Sequence, residues 1–157
     1  MAAYDQELVA LQRWVKATAG LNSVRLRDAA PKVARPIILW ETPGRKKDRN
    51  LSRYLYVNRV TQYGRLYVSS LDQLIEKQEA LLNDLEEKVG VLPVYGDSGT
   101  VVASLKAVDL VFPESQGVNI SSLDVPFSIK YEVTYARTKP VEPPPATYVG
   151  TRVTTEL

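Results

Sequence analysis

The stretch "DVPFSIKYEVTYART", Asp124 to Thr138, alternates cleanly: Val125, Phe127, Ile129, Tyr131, Val133 and Tyr135 fall on one side, Ser128, Lys130, Glu132 and Thr134 on the other. A sustained period of two marks an extended chain with one buried and one wet face, the habit of antiparallel strands. Such a strand needs neighbours to pair with and apolar elements to cover its inner face.

Two segments offer that cover. Ser70 and Gln73 form a capping box that opens the strongest helical pattern in the chain. Leu71, Leu74, Ile75, Gln78, Leu82, Leu85 and Val89 make one stripe, expected to face the core, while Asp72, Glu76, Lys77, Glu79, Asp84, Glu86 and Glu87 lie elsewhere. Gly90 ends the helix after about 19 residues, or about 28 Å. Nearer the N-terminus, Tyr4, Leu8, Leu11, Val15 and Ala19 repeat at helical spacing with Trp14 beside them, and Gly20 is the expected C-cap.

The partner strands are read between and after the helices. Val24 and Leu26 alternate with Arg25 and Arg27 as a short strand, and "PIILWET", Pro36 to Thr42, is a buried one. "PGRKKDRN", Pro43 to Asn50, reads as turn chemistry and a charge cluster, the basic tip of a long β-hairpin whose second strand is "LSRYLYVNRV", Leu51 to Val60. Tyr63-Gly64 is expected to be a bulge or turn before Arg65 to Ser70. Thr100 to Phe112 mixes its alternation, which fits a strand covered on both faces.

Helix, hairpin, helix and two long strands give an α+β fold: a mainly antiparallel sheet with two helices packed on one face, a long β-hairpin and an extended C-terminal arm. One domain is expected over residues 1–138, since 157 residues can bury a core without staples. Prolines 140 and 143 to 145 hold residues 139–157 extended as the arm, whose β-prone end around Tyr148 and Val149 either pairs with a neighbouring sheet or is a disordered tail.

Composition excludes several chemistries. The chain has no cysteine and no histidine, so disulfides, thiolate metal sites and cysteine or histidine catalysis are impossible. Gly96-Asp97-Ser98-Gly99 spells a serine-protease nucleophile loop, yet the base that would activate Ser98 is missing. A Ser98–lysine pair would need Lys88 or Lys106 desolvated, which nothing local predicts, whereas the same letters are good turn chemistry. No phosphate-binding glycine loop occurs, and neither a cofactor nor a metal is expected. No leader or membrane-length apolar run is apparent, so the expectation is a protein made and kept in a cytoplasm, with no membrane partner.

The net charge of +2 hides a polarity. Arg13 to Arg65 carries 13 basic residues against 3 acidic ones, and Leu66 onward carries 7 basic against 13 acidic. Such asymmetry suits a polyanionic partner or complementary faces meeting between copies. Arg45, Lys46, Lys47 and Arg49, helped by Arg53 and Arg59, are the candidates for contact with a partner or with phosphates. Tyr54, Tyr56, Tyr63 and Tyr67 raise the alternative of single-strand binding by base stacking.

The helix ending in "LQRWVKATAG", the strand "RYLYVNRV", the capped helix "SSLDQLIEKQEALLNDLEEKVG" and the closing strand "DVPFSIKYEVTYART" together resemble the tail terminator and neck proteins of long-tailed bacteriophages, over most of residues 4 to 138. The resemblance lies in the order of elements, without an invariant motif. It implies a non-catalytic structural virion subunit, assembled in the bacterial cytoplasm, that forms a homo-oligomeric ring, usually of six copies. The ring would sit on the tail tube protein at its head-proximal end, stop tube growth, meet the head-tail connector protein, and let genomic DNA through its lumen. In that setting Arg45, Lys46, Lys47, Arg49 and Arg53 would contact partner or DNA, and Pro143, Tyr148 and Val149 a neighbouring subunit. A head-closure protein on the head side of the neck is the nearest alternative.

Overall fold

A computed structural model describes residues 3–29, 34–113 and 123–136. In chain order the elements are helix α1, Ala3–Ala19; strand β1, Asn22–Arg25; a 3₁₀ turn, Leu26–Asp28; and strands β2, Ile37–Trp40, β3, Gly44–Asn50, and β4, Leu55–Tyr67. Helix α2, Leu71–Glu87, and strands β5, Leu92–Tyr95, β6, Val101–Val111, and β7, Asp124–Ala136, complete them. The α+β reading holds, with two helices and a curled, mostly antiparallel sheet of seven strands. Residues 139–157 lie outside the described residues, and with them Pro143, Tyr148 and Val149.

The alternating stretch is the sheet's spine. β7 pairs with β4 without interruption from Leu55 opposite Ala136 to Tyr67 opposite Asp124. The sheet runs β1-β2-β4-β7-β6-β5, with β3 on the same flank of β4 as β2, and only β1 and β2 are parallel. Paired residues share a face, so Val60, Gln62, Gly64 and Leu66 join Tyr131, Ile129, Phe127 and Val125 on the inner side. Leu8, Leu11, Trp14 and Val15 of α1 and Leu81 and Leu85 of α2 close that core.

Four local expectations change. Tyr63-Gly64 is neither a bulge nor a turn, because β4 runs straight through it. Glycine is there for space: a Cβ on Gly64 would sit 2.7 Å from Phe127 Cζ and 3.2 Å from the Leu39 carbonyl oxygen. Phe127 in turn meets Trp40 edge to face at 5.6 Å.

The basic segment is not a hairpin tip. It forms β3, pairing from Gly44 opposite Thr61 to Asn50 opposite Tyr56, with a register shift between Lys47 and Arg49. Long charged side chains suit such an edge, where they discourage pairing with another sheet. The turn falls instead at Leu51–Tyr54: the Leu51 N–H donates to Leu55 O at 2.9 Å, and Ser52 Oγ accepts from the Tyr54 and Leu55 amides at 3.3 and 3.2 Å.

β6 owes its mixed alternation to a phase change rather than to cover on both faces. Leu105 is buried, and after the irregularity between Lys106 and Asp109, where Ala107 takes φ 51°, Val108 and Leu110 are buried. One extra residue moves the inward set by one position; the strand pairs with β5 over Val101–Leu105 and with β7 from Lys106 to Val111.

The α2 stripe is rotated from the expected core face. Ser70 caps the helix as read, accepting from the Gln73 amide at 3.1 Å. Of the helix, Leu81 and Leu85 are buried with Leu74 packed beside them, while Leu71, Ile75, Leu82 and Val89 stay exposed. α1 sets the rotation: Trp14 Nε1 donates to Asp84 Oδ2 at 2.7 Å, and Lys77 Nζ caps the Ala19 carbonyl at 2.7 Å. The helix ends through Gly90 N–H to Leu85 O at 3.0 Å and Val89 N–H to Glu86 O at 3.2 Å, with Val89 itself at φ 53°.

Candidate functional site

β3 alternates like any strand, and the pleat sorts the basic candidates between its faces. Arg45 lies opposite Val60 on the core face; Lys46 lies opposite Arg59 on the outer face. Position therefore decides their chemistry more than charge does.

Arg45 turns inward under α1. Its Nη1 and Nη2 donate to Glu7 Oε1 and Oε2 at 2.9 and 3.2 Å, and Nη2 also donates to Tyr135 Oη at 2.6 Å. Glu7 is only 2 % exposed, and Tyr131 Oη donates to its Oε1 at 2.8 Å. Burial works against the Arg45 charge, but the bonds to Glu7 more than offset it and hold its pKa above the usual value. Burial, and then the Glu7 charge, push the Tyr131 hydroxyl far above its usual range, so it stays a neutral donor. Tyr4 Oη donates to Gln62 Oε1 at 3.1 Å beside them, and the fully buried Gln62 amide donates to Tyr63 O at 2.9 Å and to Glu41 O. A buried carboxylate so surrounded by donors clamps the helix to the sheet. Arg45 thus holds Glu7 and Tyr135 while remaining partly exposed at the surface.

Arg49 belongs to a surface ion cluster. It pairs with Asp48 and, at 3.3 Å, with Glu132, while Arg59 reaches Asp48 at 3.6 Å and Glu132 at 3.7 Å. Its hydrogen bonds to Asp48 and then Glu132 raise its pKa. Arg53 stacks over the Tyr54 ring at 5.6 Å in the turn. Lys46 and Lys47 are exposed and make no ion pair among the described residues.

The tyrosines do not form one platform. Tyr56 is on the inner side, tilted against Tyr135 at 5.8 Å, whereas Tyr63 and Tyr67 are on the outer side, with Arg35 over Tyr67 at 5.2 Å. Ser98 lies in an exposed turn, its Oγ 3.0 Å from Thr100 Oγ1, with Gly99 at φ 82° supplying the bend. Among the described residues no cluster of three carboxylates could hold a metal ion, and no helix is long and apolar enough to cross a membrane.

Sequence reasoning found the basic segment and missed Glu7, Gln62 and Tyr131. The available signal was weak: Glu7 lies next to Leu8 on the inward side of α1, where a charge is out of place. No protein-family model matches this sequence, and no curated protein matches it.

Proposed function

We propose that this protein is a structural subunit of a long-tailed bacteriophage particle that forms a ring on the head-proximal end of the tail tube, stops tube growth and joins the tail to the head connector. The observation that supports the reading is the element order: an N-terminal helix, a long hairpin, a capped helix and a closing strand on one curled sheet, as the resemblance implies. The charge polarity adds support, because the basic residues of β3 and the acidic residues of α2 occupy different flanks of the subunit, with β7 between β4 and β6. Lys46 and Lys47, with Arg49 and Arg53 nearby, are the residues assigned to partner or lumen contact.

Electron microscopy of particles made when the gene is disrupted tests the role. Overlong or unjoined tails beside filled heads are expected. Heads that leak DNA beside tails of normal length would move the protein to the head side of the neck, and normal infectious particles would refute the virion role.

A further inference from the structure

The folded subunit leaves the outer side of α2 uncovered. Leu71, Ile75, Leu82 and Val89 are all exposed, Val89 by 83 %. Leu71, Ile75 and Leu82 fall in a single row on the helix, about 17 Å long at 1.5 Å per residue, and Val89 lies just past its C-terminal end. Towards β6 the row borders a groove of about 360 Å³ lined by Leu82, Val89 and Ala107 and by the carboxylates of Glu86 and Asp109 among others. On its other side stand the exposed carboxylates of Asp72, Glu76 and Glu79. Val89 is also strained: a β-branched residue at φ 53° occupies a position that glycine would fill more easily, and its side chain adds nothing to the core of its own subunit.

Charge selects the occupant. A second α2 laid on the first would bring two acidic rows together, so the apolar row and the acidic groove beside it call for a surface that carries both apolar and basic side chains. The end of the β3–β4 hairpin has that chemistry. Leu51 and Leu55 are exposed at the turn, 53 % and 40 %, and Lys46 and Lys47 project from opposite sides of the adjoining strand. The hairpin lies on one flank of β4 and α2 beside β6, with β7 between them, so the two surfaces can meet only between copies.

We propose that the protein self-associates head to tail, the end of the β3–β4 hairpin of one copy seated in the α2–β6 groove of the next. The two patches differ, so the contact is heterologous and propagates, closing into a ring where the rotation per copy allows. The inference rests on these surfaces and not on the virion reading: an assembling chain whose loss leaves phage tails normal would refute that reading and keep this one.

The test is a charge swap in the full-length chain, followed by sedimentation velocity over a concentration series, with circular dichroism to verify folding. Lys46→Glu/Lys47→Glu and Glu79→Lys/Glu86→Lys are each expected to weaken self-association at least tenfold. Mixing the two variants is expected to restore it, because each hairpin then meets a groove of opposite charge. Leu82→Glu is expected to abolish assembly in either background. A wild-type chain that stays monomeric up to its solubility limit, variants that assemble as well as wild type, or a mixture that stays apart would each overturn the proposal. Assembly that ignores the charge variants but is lost on removing residues 139–157 would put the C-terminal segment in the interface instead, and would overturn it equally.

Discussion

Among single residues, Glu7 constrains its surroundings most, because a carboxylate with 2 % exposure needs its donors. Arg45→Ala would leave that charge half-answered by Tyr131 alone. The expected loss is about 3 kcal/mol, the lower end for a broken buried pair, since Arg45 keeps 29 % of its side chain in water. Lys46→Ala and Lys47→Ala, two neighbours of the same charge, should each change stability by less than about 0.5 kcal/mol. Urea unfolding of the three variants checks both numbers, and an Arg45→Ala as mild as the lysine variants would remove the clamp from the account. Gly64→Ala tests packing at the same scale: its new methyl meets the Phe127 ring and the Leu39 carbonyl, and about 1–3 kcal/mol of destabilisation is expected. Phe127→Leu should recover part of that loss in the double variant, because the ring edge is the nearer obstacle.

Between elements, Asp84 is the tether of α2 to α1, taking donors from Trp14 at 2.7 Å, Lys88 at 2.8 Å and Thr18 at 3.4 Å. Burial alone would raise its pKa, but hydrogen bonds from Lys88, Trp14 and Thr18 outweigh it and hold the carboxyl below its usual range. A depressed folded pKa gives stability that is present above the unfolded value of about 3.9 and lost as pH falls through the folded one. Asp84→Asn should therefore cost about 1–2 kcal/mol at neutral pH, and its deficit against wild type should shrink as the pH is lowered below about 4. Thermal melts of the two proteins across that range check the sign, and a deficit that grows on acidification would refute it. Five residues on, just past the C-terminus of α2, the expectation is opposite. Val89→Gly relieves a positive φ and should stabilise the subunit by about 1 kcal/mol while weakening self-association, a split between melting and sedimentation that a purely structural residue would not give. Both effects were hidden from the sequence, although α2 itself was not. Its cap at Ser70 and its length follow from neighbouring residues, whereas its rotation follows from Trp14, 70 residues before Asp84.

Across the whole molecule the same division recurs. β7 was legible because alternation is written residue by residue, and it fixed the antiparallel sheet, the inner face and the α+β class together. The basic segment was legible as charge but misplaced as a tip, since only its pairing with Tyr56 to Thr61 makes it a strand. The fate of Arg45 was not legible at all: its carboxylate partner lies 38 residues away, and the hydroxyl sharing that partner lies 124 residues from it. These long-range partners make α1 a strut with two attachments. Glu7 fastens one part of it to β3 and β7, and Trp14, seven residues on and about 10 Å along the axis, fastens another to α2. Disturbances at the two ends share no partner, so they should add: Arg45→Ala/Asp84→Asn is expected to lose the sum of the single losses within about 0.5 kcal/mol. Because one helix carries both attachments into one core, unfolding should still be a single cooperative transition in the wild type and in all three variants. Coincident near-ultraviolet and far-ultraviolet transitions would bear this out. Separate transitions in the double variant would mean that the hairpin side and the α2 side of the sheet fold as two units, and that α1 does not couple them.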